Sequence, residues 1–251
     1  MKYYYRQEVQ YQDVDPDRRL RLYTLEEYLL GVAGKVADDL GFGIKYLYPQ
    51  CLTWVLTHMS VLMSRLPGPT EILTIETWIE SNAHMLSTRD YRLYVGEGDG
   101  KELIGCAKSV WAVLTLDTRE IVNVFDQKVF QDGVDGEVLE MERAPQLRPI
   151  ERLKSTLPNA TFGSVDHKVH YSDCDYNRHC HSCNYLRIMM DAELPSFLDG
   201  GIRLDINYNK ELHMGESMTT LYASIPDYVQ YQQVDQDGRT SCTARITALK
   251  D

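Results

Sequence analysis

VQYQDVDPDRR, residues 9–19, returns at residues 169–179 as VHYSDCDYNRH. Val9 and Val169, Tyr11 and Tyr171, Asp13 and Asp173, Asp15 and Asp175, and Arg18 and Arg178 are identical at one constant offset. A little further on, EYL at 27–29 meets NYL at 184–186 after a small change in length. Each copy then runs into a helical pattern and a set of strand-like stretches. Two tandem copies of one architecture are the simplest account.

The first copy is well marked. Thr24 and Glu27 read as a capping box. Leu25, Leu29, Val32, Val36 and Leu40 then recur at helical spacing, and Gly41 and Gly43 are expected to end the helix. Stretches 52–64, 71–81, 85–96 and 103–116 are rich in Thr, Val, Ile, Trp and Tyr and read as strands, with GEGDG at 96–100 as a hairpin turn. In the second copy a shorter helix is expected over 182–194, stopped by Pro195, with strands near 202–213, 217–232 and 239–249. Within IRLDINYNKEL, strand alternation puts Ile202, Leu204, Ile206 and Tyr208 on one face, and Arg203, Asp205, Asn207, Asn209 and, unless a bulge intervenes, Glu211 on the other. Residues 126–163 carry three Pro and no clear period, and read as a linker. The expected class is therefore α+β, each copy an antiparallel sheet on a long helix. The expected division is 1–125, a linker 126–163, and 164–251.

Bulk properties narrow the function. A net charge of -11 argues against nucleic acid as the main partner, since phosphate binding needs a basic footprint. The N-terminal stretch has no apolar signal region, and no run of about 18 apolar residues occurs, so no membrane insertion is expected. The cytoplasm is the expected compartment, with the cysteines as reduced thiols.

Around the second repeat, HYSDCDYNRHCHSC at 170–183 packs three Cys, three His, two Asp and one Asn together. As a zinc site it is incomplete: Cys180 and Cys183 form one knuckle, no second CxxC follows, and His213 and Cys242 are the only later His and Cys. The thiols of Cys174, Cys180 and Cys183 read as small hydrophobes. A nucleophilic Cys183 activated by a helix N-terminus is the rival reading. The repeat directs attention elsewhere. Where the first copy has Asp17 and Arg19, the second has Asn177 and His179. Arg stays protonated and cannot act as a base, whereas His titrates near neutrality. One copy therefore reads as catalytic and the other as its degenerate partner.

Asp175-x-Asn177-x-His179, followed by Tyr185-Leu186, resembles the D-x-N-x-H-V-N-N-x-x-Y motif of the acyl-acyl-carrier-protein thioesterases. LTWVLTHM (52–59), IETW (75–78), STRDYRL (87–93) and IGCAKSVWAVLTLDTREI (104–121) are similar to segments of that family in the same order. The resemblance covers nearly the whole chain. It implies two tandem hotdog folds, each a sheet wrapped around a long helix, the N-terminal one holding the acyl chain and the C-terminal one catalytic. It carries over Asp175, Asn177 and His179 as catalytic residues. It also carries over Glu211, from the context Tyr208-Asn209-Lys210-Glu211. Plant members have a Cys directly after this Glu; here the residue is Leu212, so no covalent Cys mechanism is expected at that position. The two Asn that follow the family's His are His181 and Ser182 here.

Thioester hydrolysis needs an activated water, a polarised carbonyl and an apolar groove. Glu211 or His179 would take the proton from water. The Asn177 amide and the N–H groups opening the helix near 181–184 would face the oxyanion. Asp175 would orient the loop, although an Asp there often only holds a turn. Leu29, Val32 and Val36 on the first helix, with Trp54 on the following strand, are the candidates for lining the groove. No metal and no organic cofactor are implied. The partner implied is an acyl carrier protein, which is acidic and would dock on local cations drawn from Arg143, Arg148, Arg152, Lys154, Lys168 and Arg178. The fold class also admits a homodimer. Readings kept beside this one are a coenzyme A thioesterase of the same fold, a hotdog dehydratase, a non-catalytic acyl-thioester sensor and a structural zinc protein.

Overall fold

The computed structural model describes residues 1–96, 98–139, 150–154 and 157–249. The chain divides into two compact units, Met1–Leu62 with Pro67–Gln146, and Met63–Leu66 with Leu147–Asp251.

The first unit holds β1 (Tyr3–Glu8), α1 (Leu22–Asp39), α2 (Ile44–Leu47), β2 (Leu52–Met63), β3 (Ile72–Ala83), β4 (Leu86–Val95), β5 (Glu102–Thr115) and α3 (Lys128–Gln131). Its strands run in the order β1-β3-β4-β5-β2, and the β1–β3, β3–β4 and β4–β5 pairs are antiparallel. α1 packs on β3. Its buried stripe is Leu22, Leu25, Leu29, Val32, Ala33, Val36 and Ala37, the spacing of one helical face. Burying each Leu of that stripe contributes about 1.5–3 kcal/mol.

The ends of α1 divide the expectations. The predicted capping box is not formed: the helix begins at Leu22, Arg21 is the N-cap, and Thr24 is buried inside the first turns. The reason lies upstream, where Arg21 N–H donates to Asp13 O at 3.1 Å and fixes the entry of the chain before Thr24 is reached. The C-terminus ends at glycine as expected. Gly41 takes φ +82°, Gly41 N–H reaches Asp38 O at 3.1 Å and Phe42 N–H reaches Ala37 O at 3.0 Å. These are the two bonds of a Schellman cap.

The segment read as a linker does not begin as one. α3 lies within it, and Phe130 is fully buried in a cluster with Phe42, Leu47 and Phe125. Val134 then bridges to Ile79. An aromatic with no periodic neighbours left no pattern to read, although its side chain belongs to the core.

The second unit holds β6 (Thr161–Lys168), α4 (Ser182–Ala192), β7 (Ile202–Tyr208), β8 (Ser217–Ile225), β9 (Tyr228–Asp235) and β10 (Thr240–Ala248). Strand order is β7-β10-β9-β8-β6, every pair antiparallel. α4 packs on β8 and β6. The stretch 217–232, expected as one strand, is a hairpin that turns at residues 226–227, where Pro226 removes a ladder N–H. On the edge strand β6, Gly163 stands opposite Tyr222, and a Cβ built on it would lie 2.2 Å from that ring.

Candidate active site

The repeated stretch folds into the same turn twice. In the second unit Cys174 and Cys180 form an isolated antiparallel bridge. Asp175 N–H donates to His179 O at 2.9 Å, and Arg178 N–H to Asp175 O at 3.0 Å. Asp175 Oδ1 accepts the N–H groups of Asn177 at 2.8 Å and His179 at 3.3 Å. Arg178 takes φ +66°. In the first unit Val14 and Leu20 form the bridge, Asp15 Oδ1 accepts from Asp17 and Arg19 N–H at 2.9 Å each, and Arg18 takes φ +64°. The Asp at the head of the turn holds the backbone in both copies, as Asx turns do. The copies differ in what the turn carries.

In the first copy the Arg19 guanidinium pairs with Asp15 at 2.9 Å and Asp17 at 2.6 Å. In the second, the His179 ring, only 13% exposed, stands with Nδ1 3.5 Å from Glu211 Oε1. That separation is just beyond an ordinary hydrogen bond, a common state before substrate tightens a catalytic pair. His213 packs edge-on against His179, centroids 4.6 Å apart. Asn177 is half-buried, and its Oδ1 is buried without a hydrogen-bond partner among the described residues. An amide can turn over in place, so this atom position offers either an acceptor or an N–H₂ donor.

Glu211 does not lie on a strand. β7 ends at Tyr208, and the N–H groups of Asn209 (2.8 Å) and Lys210 (3.0 Å) both reach Ser241 O. Two successive donors on one carbonyl make a β-bulge. The bulge breaks the alternation that grouped Glu211 with Arg203 and Asp205, and turns Glu211 independently of that face. Beyond it, Cys180 N–H donates to Leu212 O at 2.8 Å, which ties the His179 turn to the Glu211 segment. The first unit keeps the tie, with Leu20 N–H on Pro67 O at 2.8 Å. Likewise His213 N–H meets Glu216 Oε2 at 2.7 Å, and Gly68 N–H meets Glu71 Oε2 at 2.6 Å. Pro67 thus stands where Leu212 does, and the preceding residue is a buried Leu66 in place of Glu211.

Asp173, one turn behind, organises the approach to α4. Its carbonyl accepts His181 N–H at 2.8 Å and the Asn184 amide at 3.0 Å. Its buried carboxylate takes His167 Nε2 at 2.8 Å, His170 N–H at 2.8 Å and Arg187 at 2.5 Å. Burial opposes the charge, yet the His170 N–H, His167 and Arg187 together hold this carboxyl below its usual range.

The apolar candidates lie in the first unit. Leu29, Val32 and Val36 share the buried stripe of α1. Trp54 is half-buried on β2, its indole N–H on Phe42 O at 3.1 Å and its ring against Phe42, Trp111, Phe125 and Phe130. Of the docking candidates, Lys168 and Arg178 are exposed and Lys154 pairs with Glu151 at 2.8 Å. Arg143 and Arg148 lie outside the described residues.

Cys174, His179, Cys180, His181 and Cys183 do not assemble a ligand set among the described residues. The group whose ligand atoms converge there is His167, His170 and Asp173, within 4.8 Å of one another, and its carboxylate already serves Arg187. Burial pushes the Cys180 thiol far up, and Cys174 is raised as well, by burial first and then by Asp173 and Asp175. Cys183 is 1% exposed. Thiols so placed are poor nucleophiles. All six cysteines are thiols outside any disulfide. No helix among the described residues is long and apolar enough to cross a membrane.

A helix packed on an antiparallel sheet, built twice in one chain with the same turn at its entry, defines the double-hotdog class. The profile of the acyl-ACP thioesterase N-terminal domain matches residues 1–130, and that of the C-terminal domain matches residues 158–249. The chain belongs to the acyl-acyl-carrier-protein thioesterase family. It is 23% identical over 202 residues to the chloroplastic oleoyl-acyl carrier protein thioesterase 2 of Arabidopsis thaliana, covering 77% of this chain and 54% of the relative. It therefore spans about half the length of that relative. Among solved structures it is similar to an acyl-ACP thioesterase from Bacteroides thetaiotaomicron, with TM-score 0.81, 22% identity and coverage of 98% and 97% of the two chains. It is also similar to the 12:0-ACP thioesterase of Umbellularia californica, with TM-score 0.80, 17% identity and coverage of 100% and 98%. These two likenesses establish the fold.

Proposed function

We propose that this protein hydrolyses the thioester of fatty acyl-acyl-carrier-protein, releasing free fatty acid and carrier protein and so ending elongation. One observation carries the reading: His179 and Glu211 stand 3.5 Å apart in the copy whose turn also bears Asn177. The other copy has an ion-paired Arg19 and a Leu66 at those positions. Family membership supports the substrate class.

In the proposed reaction the Glu211–His179 pair accepts a proton from water, and the water oxygen attacks the thioester carbonyl carbon. The oxyanion of the tetrahedral intermediate faces the Asn177 amide and the N–H groups opening α4. Its collapse breaks the C–S bond, and the proton held by the pair passes to the departing thiolate. Asp175 shapes the turn that carries Asn177 and His179. The stripe Leu29, Val32 and Val36, with Trp54, receives the acyl chain. The scheme calls on no metal or organic cofactor. The cytoplasm is the proposed compartment, since six cysteines held as thiols suit a reducing medium.

The test is free-acid release from carrier proteins bearing medium and long acyl chains, run under chelator, with the matching coenzyme A thioesters in parallel. Wild type should turn over carrier-linked substrates. Glu211→Gln and His179→Ala should each lower kcat by about 100-fold or more. A folded wild type that releases no acid from any carrier substrate overturns the reading, and a preference for coenzyme A thioesters reassigns the carrier.

A further inference from the structure

Tyr185, on the first turns of α4, is 3% exposed. Its hydroxyl donates to Lys210 O at 3.3 Å and accepts Leu212 N–H at 2.9 Å. These two bonds bracket Glu211 on either side. The ring is held edge-on by Tyr208, centroids 6.0 Å apart. Burial pushes the phenol far above its ordinary pKa, so the hydroxyl stays protonated at any working pH. A neutral O–H that gives one bond and takes another pins the backbone of residues 210–212 without adding charge beside the carboxylate.

The repeat supplies an internal control. Cys180 corresponds to Leu20 through the shared tie to Leu212 and Pro67, and α4 begins at Ser182 as α1 begins at Leu22. No residue is inserted between the turn and the helix in either copy, so the length change that matched EYL at 27–29 with NYL at 184–186 does not occur, and Tyr185 corresponds not to Tyr28 but to Leu25, a buried side chain with no hydroxyl. Leu212 corresponds to Pro67, which has no N–H to give. The first copy lacks both halves of the bond, and it is the copy without the His–Glu pair. Helix packing alone does not require the hydroxyl, because Leu25 fills the same place in a helix of the same architecture.

We propose that Tyr185 is a positioning residue, its hydroxyl fixing the segment that holds Glu211 against His179. The inference rests on the thioesterase reading above. The test is Tyr185→Phe, compared with wild type, Glu211→Gln and the double variant in the carrier-protein assay across pH. Tyr231→Phe is the control, since that buried hydroxyl bonds Glu193 O at the far end of the same helix.

Tyr185→Phe should fold, keep KM within about threefold, and lower kcat about 10- to 100-fold, the scale of a small misplacement of a catalytic group. In the Glu211→Gln background it should cost nothing further, because the two act as one unit. Tyr231→Phe should stay within about twofold of wild type. A Tyr185→Phe enzyme with unchanged kcat, or one that loses the same factor in the Glu211→Gln background, overturns the proposal while wild-type turnover keeps the parent reading. An inactive wild type overturns both. If Tyr185→Phe does not fold, a fluorinated tyrosine at 185, which keeps shape and weakens the hydroxyl as acceptor, is judged by the same criteria.

Discussion

Between Asn177 and His179, Arg178 holds φ +66°, and its counterpart Arg18 holds φ +64°. A side chain in the left-handed region costs about 1 kcal/mol that glycine avoids. Arg178→Gly should therefore raise the unfolding free energy by up to about 1 kcal/mol, read as a higher urea midpoint at unchanged slope. A lower midpoint would mean that the guanidinium contributes more than the turn conformation costs. The turn was legible in the sequence because everything that makes it lies within five residues: Asp175 caps the N–H groups, and Asn177 and His179 are displayed on it. Glu211 was legible only through the family resemblance. Alternation alone grouped it with Arg203 and Asp205, and the bulge at Asn209 and Lys210, invisible in the residue types, separates them. Tyr185 is legible as a motif letter, but its bonds to residues 210 and 212 are long-range, and no local pattern encodes them.

Asp173 works between elements: it joins β6 through His167, the turn through His170 and α4 through Arg187. Its folded pKa lies below the unfolded value of about 3.9, so its stabilisation is complete above that pH and is lost as pH falls through the folded value. Asp173→Asn should lower stability by about 1–3 kcal/mol at neutral pH. It should also remove part of the wild type's loss on acidification, read from thermal midpoints at successive pH values. A variant with the wild-type acid limb would place that limb on other carboxylates. Among the elements, α1, α4 and β2 to β5 could be anticipated from periodicity and composition. β1 and β6 could not, because neither edge strand has a buried apolar face: Tyr3–Glu8 and Thr161–Lys168 are exposed or half-buried throughout. The break between β8 and β9 is hard to read because Ile225 and Tyr228 continue the strand-like composition across Pro226.

For the molecule as a whole, a net charge of -11 sets the terms of the proposed encounter with an acidic carrier protein. Overall repulsion slows approach at low salt unless local cations steer it. Lys168 is exposed at the end of β6, two residues from the His170 that opens the site region. Lys168→Glu should lower kcat/KM for the carrier-linked substrate about two- to tenfold at low ionic strength, with the gap closing as salt is added; no change at low salt would remove Lys168 from the docking surface. The same strand has a consequence for handling the protein. Among the described residues β6 pairs with β8 alone, so one row of its main-chain N–H and C=O groups is open. Main-chain recognition is indifferent to sequence, and an open row accepts any extended segment that reaches it. Asp166 and Lys168 keep that margin wetted, whereas Gly163, left bare for the Tyr222 ring, shields nothing. Neutralising those two charges would turn the sheet margin into a seed for polymer.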